Sequence, residues 1–238
     1  PMNTYFNRLV AAICIAMIFV LNNTSSFAGN YTWTGNTSSA WSVSSNWSPS
    51  GVPGTNDTVT IGSGSDTIVL ASNRTISRLV INGRTLNLGD YELEVSQKAS
   101  LSGGKIYNGT LKLRGALVTF SGTHTDCLID CITGQLEFNG GVFDGEGSFE
   151  QNGTGNGYGT GGCVFNAPIT IKKSTNALLR LGTAIPDTFN SRVEFICVNK
   201  IPLEISYGSA SVFNDIVSVS CYGANSEITI GNDTDTVQ

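Results

Sequence analysis

Along most of the chain, apolar and polar residues alternate over three to five positions and then break off at Gly, Asn, Asp or Ser. That is the period of a strand with one buried face, and the interruptions are turn chemistry. Ile169 and Ile171, Val193 and Phe195, and Val217 and Val219 carry the alternation. No stretch of a dozen residues holds apolar positions at helical spacing. The pattern predicts an all-β chain of short strands joined by tight turns.

Sliding the sequence against itself organises those strands. Val164-Phe165-Asn166, Thr188-Phe189-Asn190 and Val212-Phe213-Asn214 recur at a step of 24. A second apolar pair closes each unit: Leu179 and Leu181, Leu203 and Ile205, then Ile228 and Ile230 after a slip of one residue. Upstream the step reads as 25, through Ile61, Leu86, Leu111 and Leu136 and through Gly109 and Gly134. A fixed period of this length identifies a stacked architecture. The expected fold is a single-stranded parallel β-helix, a β-solenoid with coils of 24–25 residues over positions 61–238. Phe165, Phe189 and Phe213 should form an interior stack, and Asn166, Asn190 and Asn214 an amide ladder at a bend. Cys197 and Cys221 fall one coil apart, with Lys173 one coil earlier in the same column. Stacked thiols and a disulfide are both open there.

The N-terminal end departs from the repeat. Arg8 is followed by an apolar run from Leu9 to Leu21, too short to span a bilayer comfortably, and then by Ser26-Phe27-Ala28. This reads as a secretory signal over positions 1–28, cleaved after Ala28, with an uncleaved anchor as the alternative. Positions 29–60 hold Trp33, Trp41 and Trp47. Such a block suits either a plug sealing the open end of the first coil or an aromatic platform for sugars. The 24-residue step from Phe213 arrives at Val237, so the solenoid is expected to continue in a longer protein.

Composition narrows the function. Charged residues make up 13% of the chain, and 28 Gly, 26 Ser, 25 Thr and 22 Asn supply the turns. The net charge is −5, and loss of Arg8 with the leader makes the mature chain more acidic still. An acidic chain with scattered Lys and Arg lacks the field that phosphate backbones require, so no nucleic-acid partner is expected. No membrane insertion is expected after signal cleavage. Cys127, Cys131, Cys163, Cys197 and Cys221 form an odd set in an oxidising compartment, which leaves at least one thiol free or paired outside the chain. The single histidine, His124, and the Cys127/Cys131 spacing do not make a zinc site, so no metal or cofactor is expected.

The run W-x-G-x5-W-x4-N-W-x4-V-P-x3-D-x-V-x-I from Trp33 to Ile61, with the Phe-Asn-x-x-Val-x-Val units that follow, resembles the N-terminal β-helix region of large secreted bacterial surface proteins. These are adhesin-like and autotransporter-like chains of the Bacteroidota type, some associated with Rhs repeats. The resemblance implies a secreted or cell-surface solenoid for display, adhesion or delivery, with cell-surface or extracellular polysaccharide as the candidate partner.

An enzyme reading needs positioned groups. Glycoside hydrolysis requires two carboxyl groups about 5–10 Å apart. Asp144 and Glu146, in a turn resembling one of the polygalacturonases, are the best pair, but the signature motifs of that family are absent. His124 with Asp126 and Asp130 is the other cluster, and Asn232-Asp233-Thr234-Asp235 is a weak cation candidate or a polar turn. The glycine cluster from Gly153 to Gly162 reads as a flexible excursion without the Lys and helix of a phosphate loop. No catalytic, cofactor-binding or metal residue is assigned, and the chain is read as a non-enzyme. A carbohydrate-binding module or, further off, a pectin-lyase-like enzyme are the alternatives.

Overall fold

A computed structural model of the protein describes residues 28–231. The predicted signal sequence up to residue 27, the Asn232-Asp235 turn and the repeat position at Val237 lie outside the described residues. The chain winds into a parallel β-solenoid of about eight turns. Each coil contributes one short strand to each of three faces. The first face runs through Thr58–Ile61, residues 78–82, residues 98–102, Leu117–Ser121 and Leu136–Phe138. It continues as a separate four-stranded sheet through Gly157–Tyr158, Leu179–Arg180, Leu203–Ile205 and Ile228–Ile230. The second face includes Thr67–Val69, Thr85–Asn87, Gly141–Phe143, Cys163–Phe165, Thr188–Phe189 and Val212–Phe213. The third includes Gly147–Gln151, Ile169–Lys173, Val193–Cys197 and Val217–Cys221. At the strand spacing of about 4.8 Å, this makes a rod on the order of 35–40 Å long.

The expected vertical stacking is present. Phe165 pairs in register with Phe189 and Phe189 with Phe213. Their rings stack 4.9 Å apart and almost parallel, at interplanar angles of 9° and 8°. The column extends upward through Phe143, Thr125, Ile106, Leu86 and Ile68. In the fifth coil one phenylalanine enters from each face: Phe138, Phe143 and Phe149 meet edge to face at 5.1–5.8 Å and fill the cross-section. Alternation along each strand delivers the apolar residue inward every second position, so the columns form one continuous buried core.

The coil length is not uniform, and here the expected step of 25 is corrected. Ile61 pairs with Ile81, Ile81 with Leu101, Leu101 with Phe120 and Phe120 with Phe138, so each early coil is several residues shorter than the later ones. The coil lengthens between Phe143 and Phe165 and reaches the expected 24 from Asn166 to Asn190. Ile61, Leu86 and Leu111 stand on the first, second and third faces in turn, and Leu136 is back on the first. A step of 25 is therefore one short coil plus one further side. Strict alternation makes every face equally apolar, so the sequence shows this false period as clearly as the true one.

The glycine cluster is also corrected: it builds a coil. Gly157–Tyr158 is the first-face strand of the sixth coil, paired with Leu179–Arg180. A Cβ at Gly157 would come within 2.3 Å of the Leu136 carbonyl oxygen, and Gly161 adopts φ +86°. Glycine is used at these two positions for close stacking and a left-handed turn.

Trp33, Trp41 and Trp47 are buried and belong to the core. Trp47 meets Trp33 and Trp41 edge to face at 4.9 and 4.7 Å. Asn30–Trp33 pairs in parallel with Thr58–Ile61, and Ala40 bridges to Val69, so this block covers the first and second faces of the first coil. Buried Asn46 holds it together, accepting from the Thr37 and Ser38 amides and donating to the Ala40 carbonyl. Burial of the three indoles removes them as an exposed sugar platform.

The Phe189→Ala substitution should destabilise the solenoid by about 3–5 kcal/mol, because it leaves a cavity between two stacked rings. Phe213→Ala, at a partly exposed position, should cost less. Denaturant unfolding of the two variants checks the order.

Candidate functional site

Two features share the corner between the second and third faces. The first is a hydrogen-bonded ladder. Asn214 Nδ2 donates to Asn190 Oδ1, Asn190 Nδ2 to Asn166 Oδ1, and Asn166 Nδ2 to Asp144 Oδ1, each at 2.7 Å. The other Asp144 oxygen closes on His124 Nε2. Asp144 occupies the ladder position one coil before Asn166, so a carboxylate ends the run. The Asn166 amide, followed by His124, holds the Asp144 carboxyl below the ordinary carboxylate range.

This placement separates the predicted acid pairs. Asp144 is engaged by His124 and Asn166. Asp126 pairs with Lys105 Nζ at 3.2 Å, and Asp130 pairs with Arg114. His124, Asp126 and Asp130 thus do not converge on one reacting point, since each faces a different partner. Glu146 lies two residues past Asp144 and opens onto the third face. Among the described residues no group of three His, Cys, Asp or Glu side chains could hold a metal ion.

The second feature is a depression on the outer third face, about 530 Å³ in volume, beside the ladder. One outward column there reads Asp130, Ser148, Thr170, Glu194 over four successive coils. Two short hydroxyl side chains lie between the acidic Asp130 and Glu194, where the surface is hollow. Leu128, Glu146 and Arg192 edge it on the corner side. Glu150 and Lys172, paired across adjacent coils at 3.1 Å, stand in the next outward column.

Inside the opposite corner of the third face is a polar column of which the sequence marks only Lys173 and the cysteines. Thr133, Gln151, Lys173 and Cys197 stack in register there. Thr133 Oγ1 donates to the Gly115 carbonyl at 2.9 Å and Gln151 Nε2 to the Leu178 carbonyl at 3.0 Å. Lys173 Nζ donates to the Thr175 and Ile201 carbonyls at 2.7 and 2.5 Å. Lys173 thereby satisfies two turn carbonyls, while the Gly115 and Leu178 carbonyls, which already accept the Gly134 and Gly157 amides, take a second donor from Thr133 and Gln151. Burial pulls the Lys173 ammonium below its ordinary value. The five cysteines from Cys127 to Cys221 are free thiols, and Cys197 and Cys221 pair in register without a disulfide. Burial pushes the Cys127 thiol up to about 12 and raises Cys131 and Cys163 as well, which keeps them protonated and unreactive.

Comparison with known proteins returned no matching family model, no matching curated protein and no matching solved structure.

Two outcomes follow. Asn190→Ala removes the middle rung and should cost about 1–2 kcal/mol, read from the denaturation midpoint. Buried Asp187, whose Oδ1 accepts the Cys163 amide at 2.9 Å, is raised to about 6 by desolvation. The folded chain then keeps a proton that the unfolded chain releases between about pH 4 and pH 6, so stability rises as pH falls through that window and is lost as pH rises. The gain should be on the order of 2–3 kcal/mol. Melting temperatures at pH 7.5 and pH 4.5 should show it in the wild type, and Asp187→Asn should flatten it. Asp144 acts in the opposite sense and in a lower window: its depressed value adds stability above the ordinary carboxylate range and loses it as pH falls below.

Proposed function

We propose that the protein is a secreted or cell-surface solenoid that works as a display and adhesion scaffold and not as a catalyst. The observation that carries this reading is the continuous in-register core. Stacked coils with a sealed aromatic end make a stiff rod whose outer columns can vary while the inner ones hold the shape. The Arg8-to-Ala28 leader supports export, and the thin charge inventory with abundant Ser, Thr and Asn suits a surface-presented β-structure. His124 and Asp144 serve the corner ladder, and Asp126 and Asp130 are each paired with a basic side chain, which supports a structural role for these acidic groups.

A second reading, contact with polysaccharide, is favoured by the third-face depression. Its hydroxyl floor and carboxylate ends offer the donors and acceptors that sugars use.

Antibodies against the folded rod should label intact producing cells or recover the cleaved chain, beginning at Gly29, from the medium. Retention of the uncleaved chain in the cytoplasm would overturn the reading.

A further inference from the structure

Several charged side chains on the outer faces are neutralised by a partner on the neighbouring coil. Lys105 meets Asp126, Arg114 meets Asp130, Lys172 meets Glu150 and Arg180 meets Glu204. The depression on the third face gathers side chains that are not paired in this way. Among the described residues, the side chains of Glu146, Arg192 and Glu194 make no hydrogen bond or ion pair, and neither do the hydroxyls of Ser148 and Thr170. Five polar side chains therefore edge one hollow with their bonding capacity unspent, beside the exposed apolar surface of Leu128.

We propose that this hollow binds a linear glycan of neutral or amine-bearing hexoses, lying along the rod axis. This rests on the polysaccharide-contact reading and names its site and its sugar class. Three physical features select that ligand. The column advances one residue per coil spacing of about 4.8 Å, close to the advance of one hexose unit in an extended chain, so successive sugars meet successive rungs, of which Ser148 and Thr170 are alike. Ser148 and Thr170 can each donate and accept, and Glu146 and Glu194 can accept from vicinal hydroxyls, while Leu128 offers an apolar patch to a sugar ring face. The charge balance excludes uronates. Two unpaired carboxylates face a single unpaired guanidinium, and Asp130 is already neutralised by Arg114, so a polyanionic chain meets net repulsion and an amine meets attraction.

Titration calorimetry of the whole protein with tetramers of glucosamine, glucose and galacturonate, and with tetralysine, tests the assignment. Glucosamine should bind most tightly, glucose more weakly, and galacturonate not at all. The exposed Ser148→Trp variant fills the hollow without altering charge and should weaken sugar binding at least tenfold while its melting temperature stays within a few degrees of the wild type. The Glu146→Gln/Glu194→Gln variant should bring glucosamine down to the affinity of glucose. If S148W melts far lower, Thr170→Trp takes its place. Galacturonate binding as well as glucose, tetralysine binding with no neutral sugar bound, or no sugar bound at all would each overturn the proposal. Sugar binding that survives both variants unchanged would overturn this site yet leave polysaccharide contact standing elsewhere on the rod.

Discussion

Backbone pairing between successive coils is the constraint on which everything else rests. Because each strand hydrogen-bonds in parallel register to the same position one coil on, like side chains are forced over like. For Phe165, Phe189 and Phe213 that yields a stacked aromatic spine. For Asn166, Asn190 and Asn214 it yields an amide ladder, and for Thr133, Gln151, Lys173 and Cys197 a buried polar corner. The columns differ in chemistry and share one geometric cause. A parallel stack of this kind has a sheet edge at each end, and the Trp33, Trp41 and Trp47 block covers the first with packed indoles.

What the sequence disclosed follows from the same cause. Where coils are equal in length, identity recurs at a fixed step, and the 24-residue unit, the Phe column and the Asn column could be read directly. Where the coils are shorter and unequal, no step recurs faithfully, and a spurious 25 arises because Ile61, Leu86 and Leu111 are interchangeable apolar residues on different faces. Gly157–Tyr158 was hidden for a different reason: so short a strand, with no apolar side chain directed inward, leaves no periodic mark.

The binding surface was less legible still. Asp144 and Glu146 stood out as a pair because they are neighbours in sequence, yet a corner turns one into the ladder and the other onto the third face. The column of Asp130, Ser148, Thr170 and Glu194 is assembled across coils of unequal length, so only the registered strands reveal it. Outward positions carry no packing constraint, and their pattern cannot be inferred from hydrophobic period.

The ladder has a direction. All of its amide donors point back along the chain, toward Asp144, and all of its amide oxygens point forward. Aligned in this way, the side-chain dipoles add along one edge as peptide dipoles add in a helix, with the positive pole resting on a carboxylate. The rod is thus electrically polar along a single seam, and an added Asn rung at the far end would deepen the well that holds a negative charge several coils away.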